Sequence, residues 1–135
     1  MIRIPMVAVQ KELFRVLTEY QTTPVYDVLD QDLVFPCITF GSFTAKNESA
    51  KNSADIANVT ITLDIWSEHR GKMEINQIAD NIALVLSRVD VDLSASEFHC
   101  LDQSVDFFEA FDEMEEGYHG VLTLSLIIQN TKEEE

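Results

Sequence analysis

Basic side chains are scarce in this sequence. Nine Lys and Arg stand against 24 Asp and Glu, a formal net charge of −15. A field of that sign repels phosphate backbones and anionic membranes, so gripping DNA, RNA or a lipid surface is excluded as the main activity. It favours solubility, a basic partner, or a place beside DNA that does not hold it. Glycine is as rare, at four residues, and no Gly-rich phosphate loop can be built from them. The three histidines, His69, His99 and His119, form no His-x-x-x-His pair, and Cys37 and Cys100 form no Cys-x-x-Cys pair. The spacing of a zinc site is therefore missing. His99 and Cys100 are neighbours, and in a strand they point to opposite faces, which argues against a catalytic pair. No serine sits in a nucleophile elbow. The acids at 112–116 lack the alternating oxygen ligands and central Gly of a calcium loop. No apolar run approaches the ~18 residues of a membrane span. Lys11, Glu12, Arg15 and Glu19 interrupt residues 1–20 as a signal peptide. These absences predict a soluble protein made in a cytoplasm, not an enzyme, with no cofactor, no metal and no membrane partner.

What is present is a good core. The chain has 135 residues, 46% of them hydrophobic, which predicts a single domain over 1–135 that buries about two-thirds of its unfolded surface. In Val59–Ser67, Val59, Ile61, Leu63 and Ile65 alternate with Thr60, Thr62, Asp64 and Trp66. That period of two predicts a strand with one buried face. From Lys72 to Val89 the period changes: Ile75, Ile78, Ala79, Ile82, Val85, Leu86 and Val89 recur at steps of three and four. This predicts an amphipathic helix. Joined by only Glu68–Gly71, the two must pack on each other, since each has one apolar face to hide.

The remainder arranges itself around that pair. Met6, Val9, Leu13, Val16, Leu17 and Tyr20 predict a helix over about 5–20, opened by Pro5 and closed before Pro24. Val25–Val28 reads as a short strand, and Pro36–Phe43 as a strand with its proline at the first residue, where it costs least. Residues 44–58 are polar, with Ile56 the one large apolar side chain, and predict a long flexible connection. Residues 98–112 are extended, 112–117 form an acidic turn, Val121–Gln129 is the last strand, and 131–135 is a frayed acidic tail. The sum is an α/β fold of the α+β type: a mixed, mostly antiparallel sheet with two helices packed on one face. Cys37 and Cys100 sit in apolar, strand-like settings and are expected as reduced core thiols, with a disulfide left open.

Several segments taken together carry a resemblance. Phe35-Pro36-Cys37-Ile38-Thr39-Phe40-Gly41, then Leu63-Asp64-Ile65-Trp66-Ser67 followed by a Gly and a helix of Ile and Ala, then Glu116-Gly117-Tyr118-His119-Gly120-Val121-Leu122, resemble in order the tail completion, or tail-to-head joining, proteins of long-tailed bacteriophages. The likeness extends to those of Bacillus phages. It covers nearly the whole chain, including the first helix and the Val25 strand. The resemblance implies a structural virion protein at the head-proximal end of the tail, made in the host bacterial cytoplasm. It implies a ring of copies, hexameric in the family, on the tail tube protein. The ring would mate with the head connector, or stopper, and let DNA pass without specific binding.

An acidic surface suits a channel through which DNA slides. On this reading the segments expected to order against a partner or a neighbouring copy are the 44–58 connection, with Lys46, Asn47, Glu48, Lys51, Asn52 and Asp55, and the acidic turn, with Asp112, Glu113, Glu115 and Glu116. Lys46 and Lys51 would meet acids such as those of the turn on a neighbour. Replacing 46–54 by a short Gly-Ser linker is expected to leave the fold intact and abolish head attachment. The rival readings are an acidic DNA mimic or adaptor that binds a basic partner, and an enzyme with a concealed site. A mimic needs carboxylates spaced like phosphates on one face, whereas the acids here cluster only at 112–116 and 133–135. An enzyme needs convergent polar residues, of which the sequence offers no set.

Overall fold

In the computed structural model the described residues are 3–27, 32–48, 55–113 and 117–133. The order is α1 (Met6–Tyr20), β1 (Val25–Tyr26), β2 (Cys37–Asn47), β3 (Ile56–Ser67), α2 (Met73–Arg88), a short 3-10 turn (Ser94–Ser96), β4 (Phe98–Glu113) and β5 (Gly117–Asn130). The strands form one five-stranded sheet in the order β1-β2-β3-β5-β4. Only the β1–β2 pair is parallel; the other three are antiparallel. The expected α+β architecture is the one observed.

Alternation along the strands creates the core. Val59, Ile61, Leu63 and Ile65 of β3 pair with Leu126, Leu124, Leu122 and Gly120 of β5 on one face, and every one of them is buried. Val9, Leu13, Val16 and Leu17 of α1 and Ile75, Ile78, Ile82 and Leu86 of α2 join the same buried cluster. Both helices therefore contribute to one core on the same side of the sheet. Each helix is ended by a glutamine. The Gln21 amide donates to the carbonyls of Leu17 and Thr23, both at 2.6 Å, satisfying a C-terminal carbonyl that the helix cannot. Gln103, on β4, donates to the carbonyls of Leu86 and Val89 at 2.7 and 2.9 Å, which ties the end of α2 to the sheet edge.

Two boundaries differ from the sequence reading. The polar connection does not begin at residue 44 or run to 58. Thr44, Ala45, Lys46 and Asn47 continue β2 and pair with Thr60, Val59, Asn58 and Ala57, leaving 48–55 between the strands. Lys46 and Asn47 lack an apolar face, so their sequence reads as loop. They are held extended by the backbone ladder of β3, which is itself fixed by β5. Likewise β5 begins at Gly117 rather than Val121, and β4 runs to Glu113. Lys51 and Asn52 of the connection and Glu115 and Glu116 of the turn lie outside the described residues, so the flexibility expected of 44–58 is not tested there.

Candidate functional site

The helices cover one face of the sheet and leave the other bare. On the bare side β3 presents Thr60, Thr62, Asp64 and Trp66, and β5 presents His119, Val121, Thr123, Ser125 and Ile127, all of them half-buried. β4 adds Asp102, Ser104, Glu109 and Phe111 through its register with Ile127, Ser125, Val121 and His119. Hydroxyls tie the surface together. The backbone N–H of Ser42 donates to Thr62 Oγ1 at 2.8 Å. Asp106 accepts from the hydroxyls of both Ser104 and Ser125, and these bonds hold its carboxyl below the usual carboxylate range. Lys46 is the only Lys or Arg in any described strand. The bare face thus carries hydroxyls and carboxylates among the apolar side chains of Trp66, Phe107, Phe111, Val121 and Ile127.

At one end of the sheet the segments that carry the family likeness converge. The Trp66 and His119 rings stack at 3.8 Å and 8°, and Phe111 leans on the imidazole at 4.7 Å. His119 Nε2 lies 2.8 Å from Asp64 Oδ1, and the Trp66 indole N–H donates to Thr39 Oγ1 at 3.0 Å. Ser67 donates to Glu74 Oε1 at 2.5 Å and accepts from the His69 N–H at 3.0 Å, which fixes the entry into α2. Gly117 has φ +123, and a Cβ there would run into the Ser67 carbonyl. A Cβ on Gly120 would lie 2.5 Å from Ile75 Cγ2. These residues do structural work: they let α2 press on the sheet and lock β3, β5 and β2 together.

At the other end a cluster appears that the sequence reading missed. The Arg3 guanidinium donates to the Glu97 and Ser96 carbonyls at 3.1 and 3.0 Å and to Asn130 Oδ1 at 2.8 Å. It also lies 4.1 Å from the centre of the Phe98 ring. Asp55, one of the candidate partner residues, accepts from the Arg3 backbone N–H at 2.9 Å and from the Asn130 amide at 3.1 Å. It anchors the return of the connection into β3. A lone Arg in an apolar N-terminal stretch gives no sequence signal for this.

The other candidate residues fall into two groups. Lys46, Asn47 and Glu48 stand at the β2–β3 end, where Lys46 Nζ lies 3.7 Å from Glu48 Oε1 in full solvent. Asp112 and the backbone of Glu113 stand at the β4–β5 end, beside Tyr118 and Gly117. β3 runs from Ile56, paired with Gln129, to Ser67, paired with Tyr118. At about 3.3 Å per residue the two ends are roughly 35–40 Å apart. One subunit does not bring its connection and its acidic turn together.

No constellation for chemistry emerges among the described residues. No group of three or more His, Cys, Asp or Glu is placed to hold a metal. A hollow of about 740 Å³ between the exit of α2 and the start of β4 is lined by Asp90, Asp92, His99, Cys100 and Asp102 among others, and the Cys100 thiol there donates to the Asp102 carbonyl at 3.3 Å. Both cysteines are free thiols. Burial pushes Cys37 up to about 11 and raises Cys100 as well, so both resist forming the reactive thiolate.

The fold is shared with a known particle. A chain in the virion of a native gene transfer agent particle superposes with a TM-score of 0.69 at 14% identity, over 91% of this chain and 92% of that one. Residues 12–129 match the family described as tail completion protein gp17. The chain belongs to that family, and it is a structural tail protein of a phage-like virion. Neither match names a Bacillus host, so the assignment stops at the family. No protein of curated function matches.

Proposed function

We propose that this chain closes the head-proximal end of the tail as a ring of identical subunits, hexameric as the family resemblance implies. The ring sits on the tail tube protein and docks the head connector, and DNA passes through it. The chain acts by assembly, not by catalysis. The observation that carries this reading is the family match across residues 12–129. The geometry supports it with one bare, acidic, hydroxyl-rich sheet face on which Lys46 is the only cation among the described strands. Facing the bore, such a surface repels the phosphate backbone and lets it slide. The two ends of the sheet then meet the two axial partners: the β2–β3 end, with Asn47, Glu48, Lys51 and Asn52, meets one, and the β4–β5 end, with Asp112, Glu113, Glu115 and Glu116, meets the other. Their separation along one subunit favours this over a pairing of connection and turn between ring neighbours.

The direct test is electron microscopy of particles made without the protein. Filled heads and separate tails are expected, restored to joined particles by the added chain. Joined particles in its absence would overturn the reading. Thr60→Lys combined with Thr123→Lys puts cations on the bare face, and is expected to leave joining intact while slowing DNA release at low salt; parental release would remove that face from the bore. The connection is tested by a shorter excision than the sequence suggested, since 46 and 47 are paired in β2: a Gly-Ser replacement of 49–54 should keep the melting curve and abolish joining.

A further inference from the structure

The sheet ends on both sides in open strand. β4 is its last strand along the whole of Phe98–Glu113. On the other side β1 reaches only Ile38 and Thr39 of β2, so among the described residues no strand covers the outer side of Phe43–Lys46. An open edge is a row of backbone donors and acceptors ready to pair with another chain. Bulges bound both stretches. The β2 register shifts between Phe40 and Phe43, and the β4 register shifts between Cys100 and Asp102 and again between Val105 and Phe107. The regular stretches beyond β1 are Phe43–Asn47 on one edge, and Asp102–Val105 and Phe107–Glu113 on the other; of the latter two, Asp102–Val105 is the one level with Phe43–Asn47.

These two stretches are level with each other across the sheet. Following the pairing row by row, Lys46 leads through Asn58 and Ile127 to Asp102, and Thr44 through Thr60 and Ser125 to Ser104. Ala45 leads through Val59 and Leu126 to Gln103, and Phe43 through Ile61 and Leu124 to Val105. Partners in a row share a face. Lys46 and Asp102 are both on the bare face, as are Thr44 and Ser104, while Phe43 and Val105 are partly buried on the core face. The two strands also run in opposite directions, because β2, β3, β5 and β4 are successively antiparallel.

We propose that Phe43–Lys46 of one copy adds as an antiparallel strand to Asp102–Val105 of the next, so that the sheets of neighbouring copies join edge to edge. The inference rests on the ring reading above and names the contact that builds the ring. A copy set beside another in the same orientation brings Lys46 opposite Asp102, Thr44 opposite Ser104 and Phe43 opposite Val105: a charge pair, a hydroxyl pair and an apolar pair. The surfaces differ, so the contact is heterologous, the class whose repetition closes a ring when the rotation per copy divides the full turn. Lys46 gives up only a solvent-exposed pair with Glu48, which is worth little. One cation per interface against a −15 subunit also explains why association would wait for the tail to gather the copies.

The test is a chain carrying Thr44→Cys and Ser104→Cys, both exposed positions, assembled onto tails and oxidised. Within one chain these residues are separated by three strand spacings, about 14 Å, beyond the ~7 Å reach of a disulfide. Only neighbouring copies can link. A ladder of covalent oligomers on a denaturing gel is expected, and neither single variant should give one. A ring visible on the tails with no ladder overturns the edge contact and leaves the ring reading standing. Tails that carry no ring overturn both. As a second arm, Lys46→Asp and Asp102→Lys should each lower the yield of joined particles by about tenfold or more, with the double exchange restoring it. Failure of the double exchange, with both melting curves parental, counts against the pairing.

Discussion

The two faces of this sheet are written by the same strands and follow opposite rules. On the core face Val59, Ile61, Leu63 and Ile65 of β3 and Leu122, Leu124, Leu126 and Ile128 of β5 are all buried and aliphatic. On the bare face, one residue along in each case, stand Thr60, Thr62, Asp64, Thr123 and Ser125, half-buried, with Thr62 accepting from the Ser42 N–H, Asp64 beside His119 and Ser125 donating to Asp106. The core face determines whether the chain folds. The bare face has little stability to lose, so its composition is free to serve contact and passage. An aliphatic bare face would stick to other chains, and a basic one would hold the DNA.

Substitutions that breach the core face separate the two most sharply. Leu63→Asp or Ile82→Asp places a charge in the fully buried sheet–helix interface, at a cost of at least about 3 kcal/mol, and neither variant should show a cooperative melt. A parental melting temperature would mean the faces are wrongly assigned. Leu124→Ala is expected to cost about 2–5 kcal/mol by leaving a cavity, while Thr123→Ala, its neighbour on the bare face, should stay within about 0.5 kcal/mol. Equal losses in urea unfolding would erase the distinction. Arg3→Ala removes the clasp on Glu97, Ser96, Asn130 and Phe98 and should cost about 1–3 kcal/mol. Hydrogen exchange should then quicken first at Asn130 and Thr131, whose N–H groups bond to Asp55 and Glu97.

The smallest effect belongs to Glu12. The Arg15 guanidinium, followed by the Asp92 N–H, holds its carboxyl below the ordinary glutamate range despite some burial. A carboxyl lowered in the folded state adds stability that is fully present above its unfolded value and is lost as pH falls through the native one. Glu12→Gln should therefore be slightly less stable at neutral pH, and the difference from parent should vanish below the ordinary carboxylate range. A difference that persists into strong acid would assign the effect to packing.

Much of this was legible from spacing. The period of two in Val59–Ser67 and the three-and-four steps of 75–89 fixed β3, α2 and their packed faces, because burial selects one face of each. The same rule failed at Thr44–Asn47, which has no apolar alternation yet lies in β2. It was silent at Asp55, which reads as loop, lies at the end of the connection and also serves as an anchor. The strand end is held by Asn58 and Ala57 across the neighbouring hairpin, a backbone pairing that leaves no side-chain pattern, and the acid is held by Arg3 and Asn130, which are far away in sequence. Spacing alone did not show that the candidate residues stand at opposite ends of the sheet.

The sequence by itself determined the elements, the identity of the core and the sign of the surface, since periodicity and net charge are properties of the chain alone. The tertiary structure decided which strands became the edges and which residues stand level across them. Those depend on strand order, and strand order is set by pairing between segments that share no local signal. Lys46 and Asp102 are 56 positions apart in the sequence and belong to one row only because β3 and β5 lie between them.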